Sequence, residues 1–208
     1  MSDALAVPEL PFPLVASVPD VWRRDGGRGA VVGEAPGHTD LYVNPAGEAS
    51  TDAESLLNAA TLVGTPPAGD FQLSARVTVD FHSQYDAGVL LVWSDQQHWA
   101  KFCFELSPAS DPMVVSVVTR DVSDDANAFV VPDRSVWLRV SRLDHVYAYH
   151  ASLDATTWQL VRIFSLQDAV ADHRVGFLAQ SPTGAGCTAT FDQIRFERKR
   201  LADLRDGS

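Results

Sequence analysis

The chain has 208 residues, about 46% of them hydrophobic, which suits one large all-β domain or two small ones with a real core. Its formal net charge of −11 argues against nucleic-acid binding and against docking on an anionic membrane surface, since both need clustered Lys and Arg. No apolar run approaches the roughly 18 residues of a membrane span, and the N-terminus lacks the basic and apolar regions of a secretory signal. Two cysteines, Cys103 and Cys187, are too few for a disulfide scaffold. They make a cytoplasmic setting the expectation and leave one bridge open.

In chain order, residues 1–69 are rich in Gly and Pro and irregular, and are expected to form the N-terminal part of the same unit. Strands are predicted near Gly29–Val32 and Leu56–Val63, the second competing with a short helix over Asp52–Leu62. Further strands are predicted over Phe71–Asp80, Gly88–Ser94, Trp99–Leu106, Met113–Arg120, Val136–Arg142 and Val146–Ser152. The series ends with Trp158–Phe164, Arg174–Ala179 and Cys187–Glu197. A charged tail over 197–208 is expected to be solvated, with at most a helical turn. Short strands between turn residues, with no helices or fixed repeat, predict two packed antiparallel sheets.

Period-two alternation assigns the faces. Phe102, Phe104 and Leu106 point to the core, which leaves Trp99, Lys101, Cys103 and Glu105 facing solvent or a cleft. Val136, Leu138 and Val140 oppose Trp137, Arg139 and Ser141, and Val115 and Val117 oppose Val114, Ser116, Val118 and Arg120. Lys101 and Glu105 lie four residues apart on one strand, about 13 Å, too far to pair directly. Each needs a partner from a neighbouring strand or a ligand. Asp86, Ser116, Arg120 and Arg139 are the suppliers if their strands are adjacent. An exposed ladder of weak ion pairs accounts for the same residues without function.

Several segments quoted from this chain resemble, in order, an uncharacterised family of the concanavalin A-like lectin/glucanase superfamily that includes regulation-of-enolase proteins. They are TDLY at Thr39–Tyr42, GDFQLSARV at Gly69–Val77 and YDAGVLLVWSDQQHWAKFCFE at Tyr85–Glu105. VVSVVTRDVSDDA (Val114–Ala126), VWLRVSR (Val136–Arg142), SLDATTWQLVRIF (Ser152–Phe164) and VGFLAQSPTGAG (Val175–Gly186) follow. The resemblance covers nearly the whole chain and implies a single jelly-roll β-sandwich. It also carries Tyr85, Asp86, Lys101 and Glu105 together. Where the family shows Asp-Gly in a hairpin, this chain has Asp154-Ala155.

The expected site is one concave sheet face lined by Tyr85, Asp86, Trp99, Lys101, Glu105, Ser116, Arg120 and Arg139. The leading reading is noncatalytic recognition of a carbohydrate or small polar metabolite, with Trp99 or Tyr85 stacking on a sugar ring. An enzyme would use Glu105 and Asp86 as its carboxylate pair. A protein-interaction module regulating a metabolic enzyme is the third reading. The chain has no G-x-S-x-G, H-E-x-x-H or C-x-x-C, and no cofactor or metal is expected; Asp121–Asn127 reads as a solvated acidic loop, with Ca²⁺ binding the lesser alternative. Cys103, on the outward face, is open to a reactive role.

Overall fold

A computed structural model describes residues 4–47, 53–166 and 173–208. The described residues are built from strands. The first seven are β1 (Ala4–Leu5), β2 (Leu14–Ala16), β3 (Trp22–Asp25), β4 (Ala30–Pro36), β5 (Leu41–Tyr42), β6 (Leu56–Leu57) and β7 (Ala60–Gly64). Then come β8 (Phe71–Asp80), β9 (Ala87–Trp93), β10 (His98–Leu106), β11 (Pro112–Arg120) and β12 (Val122–Val130). The last five are β13 (Ser135–Leu143), β14 (Val146–Ser152), β15 (Gln159–Phe164), β16 (Arg174–Gln180) and β17 (Gly186–Glu197).

An eight-stranded antiparallel sheet runs β1-β2-β7-β16-β9-β10-β11-β12, and a seven-stranded one runs β15-β14-β13-β8-β17-β4-β3. Their inner faces enclose the main core. Phe102, Phe104, Val136, Leu138 and Val140 lie in it, as the alternation predicts, and so do Val114 and Val118, whose face was expected to be outward with Ser116 and Arg120. Phe102 stacks on Tyr149 of the opposite sheet at 4.5 Å between ring centroids, which locks β10 onto β14.

The N-terminal residues supply edge strands to both sheets: β1, β2 and β7 to one, β3 and β4 to the other. The predicted strand over Leu56–Val63 is two, β6 and β7, broken at Asn58 and Ala59, whose N–H groups both reach the Asp40 carbonyl. Of the competing helix, residue 52 lies outside the described residues, and the rest is not helical. Asp121–Asn127 is a second correction. All of it after Asp121, which makes the turn, belongs to β12, an edge strand, where charged side chains discourage pairing with another sheet.

The outward face of the eight-stranded sheet is not bare. Residues 37–47 and 53–59, including the small β5–β6 pair, form a flap across it and seal a second apolar cluster. That cluster holds Leu41, Ala59, Val89, Leu91, Trp99, Cys103, Val115, Val117 and Leu178. Both cysteines are free and buried, on opposite faces of the sheets' inner boundary: Cys103 here, Cys187 in the main core. The expected solvated tail also turns out to pack. After β17 the chain folds over β13 and β14, burying Leu201, and the Leu204 and Gly207 carbonyls accept hydrogen bonds from His150 and Arg139.

The hairpin between β14 and β15 tests one local rule. Asp154 accepts the N–H groups of Thr156 and Thr157 at 2.8 and 2.7 Å, and Ala155 is forced to φ 63°. A Cβ costs roughly 1–2 kcal/mol in that left-handed region. Ala155→Gly should therefore stabilise the protein by about 1 kcal/mol in urea denaturation. Unchanged or lower stability would mean that the turn is not strained.

Candidate functional site

One cavity of about 440 Å³ opens beneath the flap, over β10. Strand register builds its floor. Leu91, Lys101, Val117 and Asp125 form one cross-strand row, and Gln180, Ala87 and Glu105 form another. The flap contributes His38, Asp40, Tyr42, Glu54 and Leu56, while Tyr85, Pro182 and Thr183 close the rim.

Lys101 is only 2% exposed, and its Nζ donates to Asp40 Oδ1 at 2.9 Å and to Gln180 Oε1 at 3.0 Å. Burial alone would favour the neutral amine. The adjacent Asp40 carboxylate, helped by the Glu105 side of the cavity, outweighs that and raises the Lys101 pKa above its ordinary value. Trp99 lies under the ammonium, 5.9 Å from Nζ to the ring centroid.

Glu105 behaves differently. Its carboxylate receives no side-chain or backbone hydrogen bond from the described residues. Desolvation pushes its pKa up to about 8; Lys101 opposes this and the Asp125 and Asp40 charges reinforce it. Near neutrality it keeps its proton and can both donate and accept. Asp125 and Tyr42 are raised too, each chiefly by burial.

Tyr85 stands at the rim, 37% exposed, with φ 67°. A non-glycine residue held there stores roughly 1–3 kcal/mol of strain. Its N–H donates to the Leu106 carbonyl at 2.8 Å, and its own carbonyl accepts from Gln180 Nε2 at 3.4 Å.

Of the eight residues expected at the site, the structure brings together Tyr85, Lys101 and Glu105. The other five are corrections. Asp86 is fully buried and serves the turn before β9: Oδ2 accepts the N–H groups of His82 and Ser83, and Oδ1 accepts the Ser181 hydroxyl at 2.6 Å. It is therefore no partner for Glu105. Trp99 is fully buried in the second cluster and offers no face to a ligand. Ser116 sits opposite Phe102, so it faces inward, where the Arg162 guanidinium reaches it. Arg120 points away and donates to the Ser165 carbonyl. Arg139 belongs to the other sheet. Cys103, the candidate reactive thiol, is buried with its pKa well above normal, chiefly by desolvation.

Sequence reasoning missed Asp40, Tyr42, Asp125 and Gln180. Asp40 and Tyr42 lie inside the TDLY segment, and Gln180 ends VGFLAQ. A buried lysine needing an anion was the signal that could have led to Asp40.

Removing half of the ion pair strands the other charge, at a cost of about 3–5 kcal/mol. Lys101→Met should destabilise the protein by that amount, and the double change with Asp40→Leu should recover most of it. Additive losses in urea melts would show the two residues to be uncoupled. Glu105 gives a pH test. Its folded pKa of about 8 exceeds the ordinary 4.5, so the stability of its neutral form is full at low pH and lost as pH rises between those values. Glu105→Gln should raise Tm over the unmodified protein by a margin that widens from pH 5 to pH 8.5. A constant margin would mean that Glu105 titrates normally.

Comparison with known proteins fits this architecture. A functionally unknown protein from Saccharomyces cerevisiae, solved by crystallography, superposes with a TM-score of 0.76 at 26% identity, over 90% of this chain and 97% of that one. A GH43 protein from Bacillus licheniformis gives 0.69 at 14% identity, over 90% of this chain but 37% of that one. Carbohydrate binding module CBM66 from Bacillus subtilis gives 0.52 at 13% identity, over 85% and 90%. The fold is thus a concanavalin A-like jelly-roll sandwich. In sequence, the chain is 32% identical over 133 residues to Regulation of enolase protein 1 of Saccharomyces cerevisiae; the match covers 63% of this chain and 66%, just under two thirds, of that relative. Residues 17–199 match the family described as protein of unknown function (DUF1349), and the chain belongs to that family.

Proposed function

We propose that the cavity beneath the flap recognises a carbohydrate or a related neutral polyol without turning it over. The observation that carries this reading is the convergence of Lys101, Glu105, Asp125, Gln180, Tyr42 and Tyr85 on one cavity of ligand size. Sugar hydroxyls donate and accept at once. Carboxylates and the Gln180 amide meet their protons, while protonated Glu105 and the tyrosine hydroxyls meet their lone pairs. Leu56, Val117 and Pro182 supply apolar wall, and the half-exposed Tyr85 at the rim supports stacking on a pyranose face. Asp40, Glu54 and Asp125 outnumber Lys101, which disfavours phosphorylated sugars. The likeness to a carbohydrate binding module supports the reading at the level of fold.

A hydrolytic reading has one observation in its favour. Burial favours the protonated form of Glu105 in a cavity that Asp40 and Asp125 also line, and glycosidases work with a protonated carboxyl group and a second carboxylate across one cleft.

Calorimetry against a panel of neutral mono- and disaccharides tests the proposal. Binding of at least one sugar is expected, weakened about tenfold by Tyr85→Ala. Affinity should fall as pH passes about 8, where Glu105 ionises, and should stay flat in Glu105→Gln. No binding across the panel would overturn the proposal, and release of new reducing ends, lost in Glu105→Gln, would replace it with the hydrolytic reading.

A further inference from the structure

The outward face of the seven-stranded sheet carries a second cavity, of about 390 Å³. Register places three polar rows across β14, β13, β8 and β17. One is Ser152-Trp137-Arg76-Asp192, the next His150-Arg139-Ser74-Arg195, and the third Ala148-Ser141-Gln72-Glu197. In the middle row two guanidiniums flank the small Ser74. Their strands are two apart, so the backbones lie roughly 10 Å from each other, and the side chains border one hollow. Trp137 and Trp158 wall it.

Charge neutralisation differs sharply between neighbouring rows. Arg76 is matched by Asp192 in a bidentate pair at 2.8 and 2.6 Å. Arg139 has no such partner. It is 7% exposed, Nη2 donates to the Gly207 carbonyl at 2.6 Å, and the guanidinium lies 4.2 Å over the Trp158 ring. Nε has no hydrogen-bond partner, and no described residue accepts from Nη1. Arg195 forms no side-chain hydrogen bond or ion pair with the described residues. His150, beside Arg139, has its pKa pushed down to about 4, chiefly by burial, and brings no charge near neutrality. The single carboxylate lining the cavity is Glu197, which makes no ion pair with either arginine and acts on Arg139 only at longer range, where burial outweighs it. A buried cation without a counter-ion in contact is costly, and an anion entering the hollow relieves that cost.

Backbone geometry points the same way. β17 carries a bulge between Asp192 and Arg195, with Gln193 at φ 49°. Bulges re-aim side chains, and this one sets Gln193 over the hollow. Its Oε1 accepts the Trp137 indole N–H at 3.1 Å, which leaves its amide N–H₂ as a donor to the cavity.

We propose that this cavity is an oxyanion site, on the opposite side of the sandwich from the acidic cavity, that takes the carboxylate or phosphate group of a small ligand. Arg139 and Arg195 clamp the anion from two sides, and the Gln193 amide and Ser74 hydroxyl complete the donor set. The site stands or falls independently of the carbohydrate reading, since no residue is shared between the two cavities.

Titration of the full chain with inorganic phosphate and with succinate, against chloride at matched ionic strength, tests it. Calorimetry, Tm and the Trp137 indole N–H resonance are the readouts. Phosphate alone, succinate alone or both should bind, move the Trp137 signal and raise Tm beyond chloride; which of them does so identifies the source of the oxyanion. Arg195→Gln, a surface change, should weaken binding at least tenfold while circular dichroism stays unchanged. Glu197→Gln should tighten it severalfold, and Tyr85→Ala should leave it unaltered. If neither anion exceeds chloride at 20 mM, or if Arg195→Gln responds as the unmodified protein does, the site does not exist.

Discussion

The buried ion pair between Lys101 and Asp40 organises one whole side of this molecule. An ammonium on the face of an apolar cluster costs several kcal/mol unless it is paired and its remaining protons are met. Asp40 supplies the charge and Gln180 a further acceptor. Asp40 is also the anchor of the flap. Its carbonyl accepts the N–H groups of Asn58 and Ala59, and its own N–H donates to the Asn58 side chain. Holding Asp40 against Lys101 therefore holds both ends of the β5–β6 segment on the sheet. The flap in turn seals Trp99 and Cys103 and leaves unfilled space over Glu105. Desolvation of Glu105 is a consequence of that roof.

This dependence explains what could be read in the sequence. The faces of β10 and β13 were legible because alternation is local, whereas β11 was read the wrong way round because Val114, Val115, Val117 and Val118 make both of its faces apolar. Phe102 and Leu138 needed only their neighbours to be placed in the core. Lys101 was legible as an anomaly for the same reason. Its partner was not, because Asp40 lies 61 positions upstream in a segment with almost no strand signal. Trp99 was misplaced by the assumption that an outward face is an open one; the flap makes it a second interior. Asp86 was misread because it adjoins Tyr85 in sequence. Successive residues point apart, so Tyr85 reached the rim while Asp86 turned under the sheet to cap the 82–83 backbone. Asp121–Asn127 looked like a loop because Asp, Ser and Asn favour turns. On an edge strand the same residues are a safeguard against unwanted pairing, and Asp125 gained a place in the cavity through its register with Val117.

The two outward faces solve one problem in opposite ways. A sandwich satisfies its inner faces with apolar side chains, and each outer face then needs a covering where it carries tryptophan. On the eight-stranded sheet the covering is acidic, a flap bearing Asp40 and Glu54, and the sheet answers with one lysine. On the seven-stranded sheet the covering is the C-terminal segment, whose carbonyl oxygens accept from Arg139 and His150 and whose Asp206 acts on His150 at longer range. Carbonyl dipoles satisfy single protons but do not cancel a guanidinium charge. Among the residues lining the first hollow Asp40, Glu54 and Asp125 outnumber Lys101, and among those lining the second Arg139 and Arg195 outnumber Glu197, although the chain as a whole carries −11. The charge that lines each outward hollow thus follows from which covering lies over which sheet.

Tyr85 shows how far the central ion pair reaches. Its left-handed backbone is held by the Leu106 carbonyl on one side and by the Gln180 amide on the other. That same amide gives its oxygen to Lys101. One side chain therefore links the strained aromatic rim to the charged floor, and through Asp40 to the flap. Neither the angle of the rim nor the height of the roof can change without disturbing a hydrogen bond to a buried ammonium. Such coupling fixes the shape of the cavity from its floor to its rim. The strain at Tyr85 is sustained by the network that gives the cavity its floor, which is why it persists at the rim rather than relaxing into an ordinary turn.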